Sequence, residues 1–167
     1  MRFFRWPACL AALLLACAVH AAPLPVKGQA VSLPALAAAA QVPAKALEGK
    51  VVVLAWFATW CPFCMHEAPQ LQRLYTANAQ RLLVIGVNIE HGDREQAAKV
   101  KQWTARFGWK FPVLLDAGAL ENVIGKPKGL PALVVLGRDG TVHQVESGEM
   151  LDEDVDDIAA FARGALP

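Results

Sequence analysis

Histidine and cysteine are scarce in this chain, four of each in 167 residues, and neither sign of charge dominates, with 16 Lys and Arg against 15 Asp and Glu. The near balance leaves no basic stripe with interleaved aromatics to hold a nucleic-acid backbone. The histidines stand at 20, 66, 91 and 143, with none at a helical metal-binding distance from another. A structural zinc site normally takes four ligands, commonly two Cys pairs or a Cys pair with a His pair, and that set is missing. The apolar run Ala8 to Val19 is shorter than the ~20 residues that cross a bilayer. No internal repeat and no low-complexity linker follows residue 49. What is present in quantity is apolar surface: 55% of the residues are hydrophobic, enough for one domain with a sizeable core in a chain too short for two ordinary ones.

The first 23 residues, "MRFFRWPACLAALLLACAVHAAP", place Arg2 and Arg5 ahead of the apolar run and end it in small residues at Ala21. This resembles a secretory signal peptide covering residues 1–21. Two other readings stand beside it: an uncleaved N-terminal anchor, and a lipidation box ending at Cys17 in "LLAC". Cleavage after Ala21 leaves 14 basic side chains against 15 acidic ones, since Arg2 and Arg5 go and no acid does. It also removes Cys9 and Cys17. Cys61 and Cys64, in "TWCPFCMHEAP", are then the only thiols of the exported chain.

Residues 22–49 are rich in Ala and Pro, and Pro23, Pro25, Pro34 and Pro43 forbid a long helix. They read as an N-terminal arm packing on a domain at 50–167, with a short helical turn at Ala35 to Ala40. "VVVLAWF" has no alternation, as expected of a strand buried on both faces. A helix follows directly, with Cys61 at its N-cap and Pro62 at its first position. "RLLVIGVNIE" is a second interior strand. A helix capped by Asp93 and stopped by Gly108 comes next, then a short strand in "FPVLLD" and a helical turn in "ALENVIG". A hairpin runs from Ala132–Leu136 through Asp139-Gly140 to Thr141–Val145. "MLDEDVDDIAAFARG" is an amphipathic helix whose first-turn acids complement its dipole. Parallel crossovers early and an antiparallel hairpin late give an α/β fold with a central mixed sheet flanked by helices.

Three chemistries compete for the Cys-x-x-Cys pair. Zinc lacks ligands, although soft Cu(I) accepts two thiolates, so a copper-binding or copper-transfer module stays open. A disulfide staple over two intervening residues restricts the unfolded chain little. Redox exchange suits the position best. A strand that runs into a helix N-terminus sets Cys61 where unpaired N–H groups and the helix dipole favour a thiolate. In such settings a thiol pKa falls from about 8.5 to roughly 3.5–7.5. Cys61 is then the nucleophile, and Cys64, one turn further and inward, the resolving thiol. Pro62 opens the helix without wasting a donor, and Phe63 offers a partner an apolar surface. Glu67 shares a helix face with Cys64: exposed it is a solvated glutamate, buried it is a proton carrier for that thiol. His66 reads as solvent-facing. Pro69 removes the N–H that would bond Met65. Lys126 and Lys128 read as ordinary solvated loop lysines, the alternative being a cationic rim that attracts acidic partners.

"GKVVVLAWFATWCPFCMHEAPQL" and "KGLPALVVLGRDGTV" together resemble the two signatures of exported thioredoxin-like proteins of the TlpA, ResA and DsbE type, over roughly residues 28–163. The resemblance implies a thioredoxin-like fold and a redox-active disulfide at Cys61 and Cys64 with no other cofactor. It implies Trp60 packing beside the pair and Glu67 as its acidic neighbour. Pro131 falls at a cis-proline facing the cysteines, with the Leu130 backbone turned toward a bound polypeptide. Ala55 stands where cytosolic thioredoxin has a buried aspartate. The activity implied is thiol:disulfide exchange in the periplasm, as a reductant of selected proteins such as cytochrome c maturation or copper-site partners; a DsbA-like oxidant is the alternative. A monomer acting on protein substrates is expected. An oxidising compartment further requires a membrane electron donor to recharge a reductant.

Overall fold

In the seven residues Val51–Phe57 no side chain is polar, and every one of them is buried. The computed structural model describes residues 22–165; the leader expected at 1–21 lies outside them. Along the chain the elements are α1 (Leu33–Ala39), β1 (Val51–Phe57), α2 (Pro62–Asn78), β2 (Leu82–Asn88), α3 (Arg94–Arg106), β3 (Val113–Leu114), α4 (Gly118–Ile124), β4 (Ala132–Leu136), β5 (Val142–Ser147) and α5 (Asp152–Arg163). The five strands form one sheet in the order β3-β2-β1-β4-β5. β1 is central, parallel to β2 and antiparallel to β4, and β4 and β5 form the hairpin. This is the expected mixed sheet.

The two-residue period of a strand sends the alternate side chains of β1 to opposite faces. Val51, Val53, Ala55 and Phe57 join a core with residues of α2, α3 and α5, including both cysteines. Val52, Leu54 and Trp56 join a second core with residues of α1 and α4. Helices on both faces are what a strand without a polar side demands. In the first core Phe57, Trp103 and Trp109 meet with ring centroids 4.9–5.2 Å apart. Gly86 of β2 makes room for them, because a Cβ there would lie 2.8 Å from the Trp109 ring.

The arm is more structured than its composition announces. Ser32 caps α1, whose Pro34 falls within the first turn, where a missing N–H costs nothing. Leu36 and Leu47 are 0% and 1% exposed, a burial that contributes roughly 2 kcal/mol for each side chain. Ahead of α1 the arm hydrogen-bonds to the hairpin, Gly28 N–H to the Val142 carbonyl and Val31 N–H to the Gly140 carbonyl. Two boundaries also move. The helical turn read at Ala35–Ala40 is a two-turn helix starting at Leu33, and β5 runs on to Ser147.

Candidate active site

β1 ends at Phe57, the chain turns through Ala58 to Trp60, and α2 begins at Pro62 with Cys61 as its N-cap. The Cys61 and Cys64 sulfurs are joined in a disulfide. Cys61 Sγ also accepts the backbone N–H of Cys64 at 3.2 Å, one of the four donors that a helix start leaves without an intrahelical partner. Both cysteines are buried, 3% and 2% exposed, but they are not equivalent. Cys61 borders an open cleft of about 430 Å³, and Cys64 does not.

Trp60, Pro62, Phe63, Ile89, Pro127 and Leu130 give the cleft apolar walls. Trp60 and Phe63 are 66% and 56% exposed and line the cleft together with Cys61. The Leu130-Pro131 bond is cis. Leu130 and Cys61 face the same cleft, while Pro131 is buried behind it. No backbone hydrogen bond of Leu130 is made among the described residues, which leaves its peptide groups open to a visiting strand. Lys126 and Lys128 also line the cleft.

Glu67 lies one turn beyond Cys64 on α2 and is 1% exposed. Its Oε1 accepts the Met150 N–H at 3.4 Å, from the residues leading into α5. Burial pushes its carboxyl up from 4.5 to about 8, the Met150 hydrogen bond opposing the rise and the charge of Glu149 adding to it. The solvated-glutamate alternative is therefore excluded by its placement. Ala55 is fully buried on β1, and the buried carboxyl among the described residues is Glu67, on α2. His66 points outward, its side chain 66% exposed and 3.7 Å from Glu149.

One residue of the site escapes sequence reasoning. Glu90, just beyond β2, accepts the Thr59 N–H at 2.6 Å through Oε2 and the Thr59 hydroxyl at 2.9 Å through Oε1. Asn88 Nδ2 donates to the same carboxylate at 2.9 Å. Partial burial works to raise the Glu90 pKa, but the hydrogen bonds from Asn88 and Thr59 outweigh it and hold the carboxyl below its ordinary value. An ionised side chain thus anchors the turn two residues before Cys61. Only the register of β1 and β2, which pairs Phe57 with Asn88, brings Glu90 to Thr59, and neither residue advertises the contact. Among the described residues no three His, Cys, Asp or Glu side chains converge as a metal cluster.

A mixed sheet whose central strand hands a disulfide to a helix N-terminus, opposite a cis X-Pro bond, defines a protein of the thioredoxin-like class. Comparison with known proteins narrows this. The Redoxin family profile matches residues 26–161, and the chain belongs to that family. It is 31% identical over 115 residues to the thiol-disulfide oxidoreductase ResA of Halalkalibacterium halodurans, covering 67% of this chain and 62% of that protein. The chain thus spans somewhat less than two thirds of that relative's length. Among solved structures, a thiol:disulfide interchange protein of the thioredoxin family from Chlorobium tepidum matches with a TM-score of 0.58 and 25% identity, covering 86% of this chain and 97% of that one. A secreted Mycobacterium tuberculosis disulfide oxidoreductase homologous to E. coli DsbE shares the fold, with a TM-score of 0.58 and 24% identity over 71% of this chain and 86% of that one. The resemblance to TlpA, ResA and DsbE proteins is borne out.

Proposed function

We propose that this protein is an exported thiol:disulfide oxidoreductase that reduces disulfides in selected protein substrates. The observation that carries the reading is the asymmetry of the pair: Cys61 sits at the helix N-terminus and borders the cleft, and Cys64 is enclosed behind it. In the reduced protein the Cys61 thiolate attacks one sulfur of a substrate disulfide. A mixed disulfide forms and the other substrate sulfur leaves as a thiolate, which takes up a proton. Cys64 then loses its proton and attacks Cys61 Sγ, closing the internal disulfide and releasing the second substrate sulfur. Two electrons pass to the substrate.

Glu67 is suited to carry the Cys64 proton. A carboxyl raised to about 8 holds its proton at neutral pH and can still release it, as a positioned acid–base group for a thiol must. Leu130 would hold the substrate by strand-like pairing through its open backbone groups, with Trp60 and Phe63 against the substrate's apolar side chains. The leader-like residues 1–21 support an exported role; the proposal extends to cytochrome c maturation or copper-site proteins as substrates and to a membrane donor restoring the dithiol.

The test is the reduction potential of the pair, measured against thiol–disulfide buffers, together with turnover of a protein disulfide such as insulin. A reductant sits near or below the thioredoxin value of about −270 mV, and a potential near the DsbA value of about −120 mV makes the protein an oxidant instead. Copper retained stoichiometrically through gel filtration, with no exchange activity, replaces the enzyme reading altogether.

A further inference from the structure

The cleft beside Cys61 has apolar walls and a cationic edge, and the two do not come from the same part of the chain. Trp60, Phe63 and Ile89 stand on the helix and β2 side, while Lys126 and Lys128 come from the loop between α4 and the cis bond. No acidic side chain lines the cleft. Two carboxylates lie near it. Glu121 pairs with Lys126 at 3.8 Å, whereas Glu90 keeps its charge and is tied by hydrogen bonds to Thr59 and Asn88, on the Trp60 and Ile89 side of the cleft and not on the lysine loop. Lys128 has no ion pair among the described residues, and its side of the cleft is exposed. Glu149 and the first turn of α5 lie near His66, Glu67 and Arg73, and none of those acids lines the cleft.

The loop that carries the lysines is held in place. The Lys126 N–H donates to the Ala22 carbonyl at 2.7 Å, and Gly125, at φ +85°, fits against the Pro23 backbone where no Cβ has room. The arm therefore fixes the lysine-bearing loop relative to Cys61. A charge held at the rim of a low-polarity cleft selects partners more strongly than one on a mobile tail.

Resting on the exchange reading above, we propose that the preferred substrates carry acidic residues beside an apolar residue next to the cysteine that Cys61 attacks. The apolar side chain seats between Trp60 and Phe63, and the acidic one meets Lys128 first and Lys126 second. Net charge does not supply this preference, because the chain without its leader carries 14 basic against 15 acidic side chains. The selectivity has to be local.

The test uses two cyclic peptides, each closed by one disulfide and carrying a Leu next to it, with two Asp flanking in one and two Lys in the other. The full chain is kept reduced by dithiothreitol, whose own reaction is subtracted. Each turnover converts one peptide disulfide to two thiols and oxidises one dithiothreitol. At low ionic strength kcat/KM should favour the acidic peptide by about tenfold, and the preference should fall to about twofold or less in ~0.5 M salt. Lys128→Glu should invert the order, Lys126→Glu should also lower it because it removes one positive charge and leaves Glu121 unpaired, and the double Lys→Arg variant should keep it. Equal kcat/KM for both peptides, or a preference that charge reversal leaves unmoved, overturns this inference and leaves disulfide exchange standing. Failure to reduce either peptide brings down the exchange reading and the inference together.

Discussion

Replacing Glu67 by Gln should stabilise the oxidised protein, and the gain should grow with pH. Glu67 is buried beside the Met150 N–H, and its carboxyl is raised from 4.5 to about 8. Between those values the folded protein holds a proton that the unfolded chain has released. Stability attributable to this group is therefore fully present below pH 4.5 and is lost as pH rises through about 8. Each pKa unit corresponds to ~1.4 kcal/mol, so the whole window amounts to up to about 5 kcal/mol, and about 3 kcal/mol of it has gone by pH 7. A glutamine keeps the amide oxygen that accepts from Met150 and has nothing to ionise. The stability difference between Glu67→Gln and the parent should be small at pH 4, rise to as much as about 3 kcal/mol at pH 7, and level off above pH 8. Urea titrations from pH 4 to 9 measure it with the disulfide closed, so neither cysteine titrates. His143, stacked on Phe161, has its pKa lowered by burial and by Lys27, against the pull of Asp157; it is common to both proteins and cancels in the difference. Two curves that stay parallel across this range would refute the reasoning.

Two further substitutions probe the frame around the pair. Glu90→Ala removes the acceptor for the Thr59 N–H and hydroxyl and should cost ~1–2 kcal/mol at pH 7, after discount for its partial exposure. The cost should shrink in acid, since a carboxyl held below its ordinary value gives its stability above pH 4.5 and loses it as pH falls through the lowered folded value; denaturation from pH 7 downward follows the loss. Glu90→Ala should also slow alkylation of reduced Cys61, while Glu90→Gln, which still accepts two hydrogen bonds, should recover most of that rate. Gly86→Ala places a methyl group 2.8 Å from the Trp109 ring and should destabilise by ~1–3 kcal/mol through overpacking, read as a lower urea midpoint and changed tryptophan fluorescence.

What the sequence discloses here is what neighbours along the chain decide. An unbroken apolar run can only be an interior strand, Pro62 is tolerated at a helix start because its missing N–H has no bond to lose, and Asp93 and Asp139-Gly140 act within three residues of themselves. The cysteine pair was legible for the same reason. The burial of Glu67 depends on Met150, 83 residues away, and the Glu90 anchor spans 31 residues. Both require the sheet register and the docking of α5 before they exist. The arm misleads in the opposite direction, because Ala and Pro give little local signal while Leu36 and Leu47 lock it into a core made by β1 and α4.

The central claim is that Cys61 attacks a protein disulfide and Cys64 resolves it. Trapping on Cys64→Ser, expressed as the full chain and recovered under acid quench, tests it most directly. The account predicts a mixed disulfide through Cys61 that dithiothreitol releases and that is absent from Cys61→Ser. Adducts that form equally well on Cys61→Ser through Cys64, or on neither variant, would contradict it.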